Sequence, residues 1–105
     1  MAWPKQRDWG WYATLVRLPW LCVKVLRFKA YGSLSHQRHN HRTEIWLFLR
    51  GGGKKRHNFD YSLNTKRIWL IEKGDWHKFN AFEKPVYALE LQYGRKVTEK
   101  DIERR

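Results

Sequence analysis

Two histidines separated by one residue, His39 and His41, set the strongest constraint on how this chain folds. Side chains at positions i and i+2 point to the same side only on an extended backbone, since neighbouring residues of a β-strand alternate between faces. Glu44 follows, and Gly74-Asp75-Trp76-His77 supplies a further histidine after a glycine. Imidazole and carboxylate groups in this combination are typical ligands of a divalent metal. The pattern therefore predicts a metal site in a β-structure, with His39, His41, Glu44 and His77 as its ligands.

The alternation of a strand also assigns faces around this motif. Gln37, His39 and His41 share one predicted face, so Gln37 is an additional or substitute ligand. On a straight strand Glu44 would point away from His41. We therefore predict a reversal at Arg42-Thr43, which would bring Glu44 across from His41.

Short apolar or alternating runs occur along most of the chain and predict an all-β sandwich or barrel. The runs span 20–28, 33–41, 45–49, 56–61, 68–71, 76–79 and 86–93. A weak helix-start signal at Thr98-Glu99-Lys100-Asp101 predicts a short C-terminal helical tail over 98–105. The length of 105 residues predicts one domain, 1–105.

The charge of the chain narrows the class of partner. A net charge of +12 favours an anionic partner: a phosphorylated small molecule, a nucleic acid or a membrane surface. The single Cys22 cannot form an internal disulfide, which fits a reducing compartment. The first residues lack the apolar stretch of a signal peptide, and Arg17, Pro19 and Lys24 interrupt the most apolar segment. We therefore expect a cytoplasmic protein with no membrane partner.

Four blocks of the sequence resemble the cupin superfamily. Within it they are similar to the C-terminal cupin domain of type II mannose-6-phosphate isomerase, a domain often fused to a GDP-mannose pyrophosphorylase. Residues 7–12 resemble that family's RPWGxY entry, 34–46 its LSLQxHxHRxEHW signature, 73–79 its PxGxxHRL turn, and 89–104 its EVQxG…EDDIxR ending. Glu72 stands where the family has a proline, and Ile45 where it has a histidine. The resemblance implies a cupin jelly roll, also called a double-stranded β-helix, that holds one divalent metal ion.

The resemblance also implies a reaction, the interconversion of mannose 6-phosphate and fructose 6-phosphate by proton transfer through an enediol. Such a reaction needs a base and cationic groups for the phosphate. Glu90, which shares a predicted face with Gln92, is the candidate base; the alternative is a surface carboxylate paired with a lysine or arginine. Arg42 and Lys78 each follow a proposed ligand and are the candidate phosphate-binding residues; the alternative is that both are solvated. Zinc is the first choice of metal, and Mn, Fe, Co and Ni suit the same donors.

Other functions stay open at this point. The chain could be a metal-binding cupin of another chemistry, or a module that binds a sugar phosphate or sugar nucleotide without turnover. A nucleic-acid-binding surface of tryptophans and basic residues is less favoured, because most tryptophans lie in the matched blocks and are expected to pack inside. The apolar run Leu21–Leu26 is predicted to be an exposed edge strand that pairs with a second copy in a homodimer. The charged run 54–57 is expected to be a solvated hairpin tip.

Overall fold

The computed structural model describes residues 4–39, 41–65 and 67–94, together with the backbone of residues 103–104. These residues form eleven β-strands and no helix, which confirms the predicted all-β class. The strands are β1 Lys5–Arg7, β2 Gly10–Leu18, β3 Leu21–Phe28, β4 Ser33–Arg38, β5 Arg42–Arg50, β6 Gly53–His57, β7 Asp60–Leu63, β8 Ile68–Ile71, β9 His77–Ala81, β10 Val86–Gly94 and β11 Glu103–Arg104. Within the part of the chain that is described, no helix is long and apolar enough to cross a membrane.

The strands make two antiparallel sheets. The six-stranded sheet has the order β1-β2-β3-β10-β5-β8, and the five-stranded sheet has the order β11-β4-β9-β6-β7. Strand β10 lies between β3 and β5, where Glu90 is opposite Lys24 on one side and Trp46 on the other. In the same register Gln92 is opposite Glu44. Polar residues of three neighbouring strands therefore meet on the inner face of the six-stranded sheet.

The space between the sheets is divided into an apolar part and a polar part. Aromatic rings from both sheets dominate the apolar part, where the Phe28 and Phe79 ring centroids are 4.9 Å apart and those of Trp46 and Trp69 are 5.2 Å apart. Both phenylalanines are fully buried, and burying such a side chain contributes about 1.5–3 kcal/mol. This core fixes the distance between the sheets on which the polar part is built.

Two strand predictions are wrong in informative ways. Residues 56–61 do not form one strand, because the chain reverses between β6 and β7 with Asn58 in the left-handed region at φ 54°. Asparagine tolerates this conformation better than most residues do. The run Leu21–Leu26 is not an edge strand either, since β3 pairs with β2 on one side and with β10 on the other.

The C-terminal and charged segments also differ from expectation. Glu103 and Arg104 pair with β4 as a strand, so the predicted helix is wrong at these two residues, and the rest of the predicted helical segment lies outside the described residues. The run 54–57 belongs to β6 rather than to a hairpin tip. Lys55 is buried there, with its ammonium 5.5 Å from the centre of the Trp69 ring.

Candidate metal centre

Three of the predicted ligands meet in the polar part of the interior. His39, Glu44 and His77 each offer one donor atom, and these atoms all lie within 4.8 Å of one another. His39 Nε2 is 3.0 Å from Glu44 Oε2, and His77 Nε2 is 3.8 Å from Glu44 Oε1. Metal–ligand bonds of about 2 Å place neighbouring ligand atoms roughly 3–4 Å apart. The spacing and the chemistry of the donors therefore fit a divalent metal ion, which this group could hold.

Two segments that are far apart in the sequence and adjacent in the fold carry these ligands. His39 lies in the connection between β4 and β5, Glu44 is the third residue of β5, and His77 begins β9. The turn before β9 reaches the β4–β5 connection directly, because the Gly74 amide donates to the His39 carbonyl over 2.8 Å. Gly74 has φ 81°, a conformation that only glycine adopts freely. This hydrogen bond and the pairing of β4 with β9 thus join the two ligand-bearing segments.

The predicted inward position of His41 is wrong. Strand β4 ends at Arg38 and β5 begins at Arg42, so the reversal falls at residues 39–41 rather than at Arg42-Thr43. Strand alternation no longer applies across such a connection. His41 is exposed, whereas Arg42 and Glu44 share the buried phase of β5.

Arg42 takes the inward position that was expected for His41. Its Nε and Nη2 atoms donate to Glu44 Oε2 over 3.0 and 2.9 Å, and Nη2 lies 3.0 Å from His39 Nε2. The guanidinium therefore contacts the same two donor atoms that a metal would use. A metal ion would have to replace these contacts. The position of Arg42 therefore shows a residue that contacts the metal ligands, and its predicted role in phosphate binding stays a prediction.

The other two predicted binding residues are placed differently from each other. Gln37 is buried in β4, directly opposite His77 on β9, and its Nε2 donates to the Ser35 carbonyl. This position is compatible with its predicted role as an additional ligand. Lys78 follows His77 on β9, where His77 and Phe79 are buried and Lys78 is half-buried on the other face of the strand. The predicted role of Lys78 at the site is therefore not supported by its placement.

A cavity of about 130 Å³ lies next to the cluster, between the two sheets. Glu90 and Gln92 line it, as their predicted shared face requires, and Gln92 Nε2 donates to Glu90 Oε1 over 2.8 Å. Lys24 lines the same cavity and is only 4% exposed. Sequence reasoning missed Lys24, although a lysine between Cys22 and Leu26, on the same face of an apolar strand, is a signal of a functional position.

The two buried carboxyl groups have opposite pKa shifts. Burial raises the pKa of Glu90 well above its usual range, and the neighbouring Glu44 charge and its hydrogen bond with Glu90 raise it further. Burial would also raise the pKa of Glu44, but a hydrogen bond from His39 and the proximity of His77 and Arg42 hold that pKa well below its usual range. Burial lowers the pKa of His77 to about 4. Near neutral pH the site therefore favours an ionised Glu44 and a neutral His77 whose lone pair suits a metal, while Glu90 holds its proton more tightly than an ordinary carboxyl group does.

The shift of Glu90 has a measurable consequence for stability. A carboxyl whose folded pKa is raised holds a proton that the unfolded chain loses, so its contribution to stability falls as pH rises above the unfolded pKa. We expect Glu90→Gln, in metal-free protein, to gain stability over the wild type as pH increases from 5 to 8. Urea unfolding at both pH values measures this difference. The same difference at both values would show that Glu90 ionises normally in the folded protein.

A second polar network supports the turn that carries His77. His57 Nε2 lies 2.8 Å from Asp75 Oδ2, and His57 Nδ1 accepts from Trp69 Nε1 over 3.0 Å. His57 is also opposite His77 in the β6–β9 pair. Only one residue separates Asp75 from His77, so this network orients the start of β9. Sequence reasoning did not find it, since the two segments meet only in the folded chain.

The chain matches one family model over nearly its full length. The model described as mannose-6-phosphate isomerase C-terminal matches residues 3–105. A comparison with curated protein sequences finds no significant match.

Solved structures, one of them a cupin domain, share the fold at low sequence identity. The cupin domain of Cnp3 from Schizosaccharomyces pombe is 14% identical with a TM-score of 0.76, over 80% of this chain and 64% of that one. The capsular polysaccharide assembling protein CapF from Staphylococcus aureus is 14% identical with a TM-score of 0.79, over 95% of this chain and 31% of that one. Oxalate decarboxylase from Bacillus subtilis is 14% identical with a TM-score of 0.78, over 96% and 29%. The chain thus spans less than two thirds of each of these proteins, and the likeness confirms the predicted cupin jelly roll.

Proposed function

The chain belongs to the mannose-6-phosphate isomerase C-terminal family, and we propose that it is a metal-dependent aldose–ketose isomerase that interconverts mannose 6-phosphate and fructose 6-phosphate. The observation that carries this proposal is the position of Glu90. Its buried carboxyl group lies on the cavity beside the His39, Glu44 and His77 cluster. A metal-ligand group and a carboxyl acid–base group therefore face one space between the sheets.

The metal site of this proposal consists of His39, Glu44 and His77, with Gln37 as the fourth protein ligand. Two imidazoles, one carboxylate and one amide oxygen suit zinc, and Mn, Fe, Co and Ni remain alternatives. When bound, the metal would supply positive charge that stabilises the enediolate formed during the reaction. His41 is not part of this ligand set, because its side chain is exposed.

Glu90 is the proposed base. The reaction removes a proton from one of two adjacent carbons of the sugar and returns it to the other, while a hydroxyl proton passes between the two oxygens. One carboxyl group that accepts and then donates can carry the carbon-bound proton. A raised pKa brings such a group closer to the pH at which transfer in both directions is efficient. Gln92 donates to Glu90 Oε1 and holds the carboxyl group in place, while Trp46, which donates to Glu44 Oε1, helps to keep water out.

The alternative function is a module that binds a sugar phosphate or sugar nucleotide without turnover. It is favoured by the contacts of Arg42, which already satisfy His39 and Glu44 without a metal. In that case the buried charges would hold the ligand by hydrogen bonds alone. Metal content and proton exchange distinguish the two functions.

The test is proton NMR of mannose 6-phosphate in D2O with zinc-loaded protein. We expect deuterium to enter at C2 and fructose 6-phosphate to accumulate, because the proton released to Glu90 can exchange with solvent. Metal-stripped protein from the same preparation is the control and should show neither change. Binding of the sugar phosphate without exchange, repeated with Zn, Mn, Fe, Co and Ni, would reject the isomerase in favour of the binding module.

A further inference from the structure

The cavity next to the metal cluster carries more positive than negative charge. Among the described residues that line it, Arg7, Lys24 and Arg42 are cations and Glu90 is a carboxyl group. Glu44 of the cluster is the second carboxyl group at the site. Three cations thus stand against two carboxyl groups, and a divalent metal would add to the excess. A ligand that enters this space is favoured if it is an anion.

Two of these cations share one aromatic ring. The Lys24 ammonium lies 4.5 Å from the centre of the Tyr12 ring, and the Arg7 guanidinium carbon lies 5.2 Å from it. Arg7 Nη2 also donates to the Tyr12 hydroxyl over 3.3 Å. The three residues come from the neighbouring strands β1, β2 and β3 of the six-stranded sheet. Cation–π contacts stabilise each cation, and an anion bound beside the ring would offset the repulsion between the two positive charges.

Gln92 adds a second indication of a ligand in the same cavity. Its side chain is 1% exposed, and its Oε1 has no hydrogen-bond partner within the described part of the chain. A buried acceptor without a donor costs about 1–3 kcal/mol. A hydroxyl group of a bound ligand would satisfy this oxygen. The cavity therefore presents groups for an anion and for a hydroxyl donor.

We propose that Arg7 and Lys24, held about the Tyr12 ring, form an anion subsite that binds the phosphate ester of the substrate. This role replaces the one expected for Lys78, which lies on the other face of β9. Arg7 is exposed and Lys24 is buried, so the subsite extends from the surface into the cavity. The assignment of a sugar phosphate rests on the proposed function, whereas the preference for an anion rests on the cavity itself.

The test compares Arg7→Gln with Arg50→Gln in zinc-loaded protein. Both substitutions remove one positive charge, but Arg50 is an exposed residue at the end of β5 and does not line the cavity. Isothermal titration with mannose 6-phosphate should show about tenfold weaker binding for Arg7→Gln and less than about twofold change for Arg50→Gln, as expected for one charged hydrogen bond. Arg7→Lys should recover part of the loss. The Arg7→Gln variant should bind unphosphorylated mannose as the wild type does.

The outcomes separate this subsite from the isomerase proposal. Equal affinities of Arg7→Gln and Arg50→Gln for mannose 6-phosphate would overturn the subsite, even if the wild type isomerises the sugar. Selective weakening in Arg7→Gln would support the subsite, even if no isomerisation occurs. A wild type that binds neither mannose 6-phosphate nor inorganic phosphate would overturn it as well. Lys24→Arg, which keeps the charge, and Lys24→Met extend the test to the buried half of the subsite.

Discussion

Replacing His77 with alanine is expected to weaken zinc binding by at least about 100-fold, since even groups that only orient a metal ligand contribute about 10–100-fold to affinity. His77 is 1% exposed, and its pKa of about 4 keeps the imidazole neutral at the pH of a binding experiment. Loss of this donor leaves two of the three residues in the group, His39 and Glu44, to hold the ion. Competition with a chromophoric chelator measures the affinity, and elemental analysis measures the zinc that remains bound.

The matched control is His41→Ala, which removes an imidazole two residues from His39. His41 is exposed and does not belong to the cluster, so its zinc affinity should stay within about twofold of the wild type. Sequence spacing alone would make both histidines essential. A large loss of zinc in His41→Ala, or full zinc occupancy in His77→Ala, would contradict the site described above.

Replacing Glu90 with glutamine should lower kcat by at least about 100-fold, the usual range for loss of a general base being about 10²–10⁴. Glutamine has nearly the same shape and can still hydrogen bond to Glu44, so zinc content should not change. The exposed Glu72→Gln is the control for loss of a carboxylate elsewhere. The measurement is the initial rate of fructose 6-phosphate formation together with deuterium incorporation. Wild-type rates in Glu90→Gln would exclude this residue as the base and leave the metal ligands unaffected.

The ligand-bearing motif could be read from the sequence because its residue types and order limit the chemistry. His39, Glu44 and His77 were identified from spacing and composition, and the structure brings them together. The face of His41 was predicted wrongly, because alternation holds within a strand and fails across the connection at 39–41. The same connection shifts the alternation so that the side chain of Arg42 is buried. An error of three residues in a strand boundary was enough to exchange an exposed side chain for a buried one.

The part of the cavity lined by Arg7 and Lys24 was harder to predict for a different reason. Lys24 shares the inner face of β3 with Cys22 and Leu26, so its burial follows once the face is known, but both faces of that strand are rich in apolar residues. Strand β1 has only three residues, Lys5–Arg7, without apolar alternation, and its position depends entirely on pairing with β2. Arg7 reaches the cavity only because of that pairing, which no local pattern indicates.

The hydrogen bond from the Gly74 amide to the His39 carbonyl has a consequence for how metal leaves the site. This bond closes the β9 turn against the β4–β5 connection, and β9 is also paired with β4 and β6, so His77 cannot withdraw without local opening of the backbone. Release of the ion should then follow the frequency of that opening rather than that of global unfolding, since local opening has a smaller free energy than complete unfolding. The lifetime of the bound ion would then depend on how often the backbone around the start of β9 opens, in addition to the strength of the coordinate bonds.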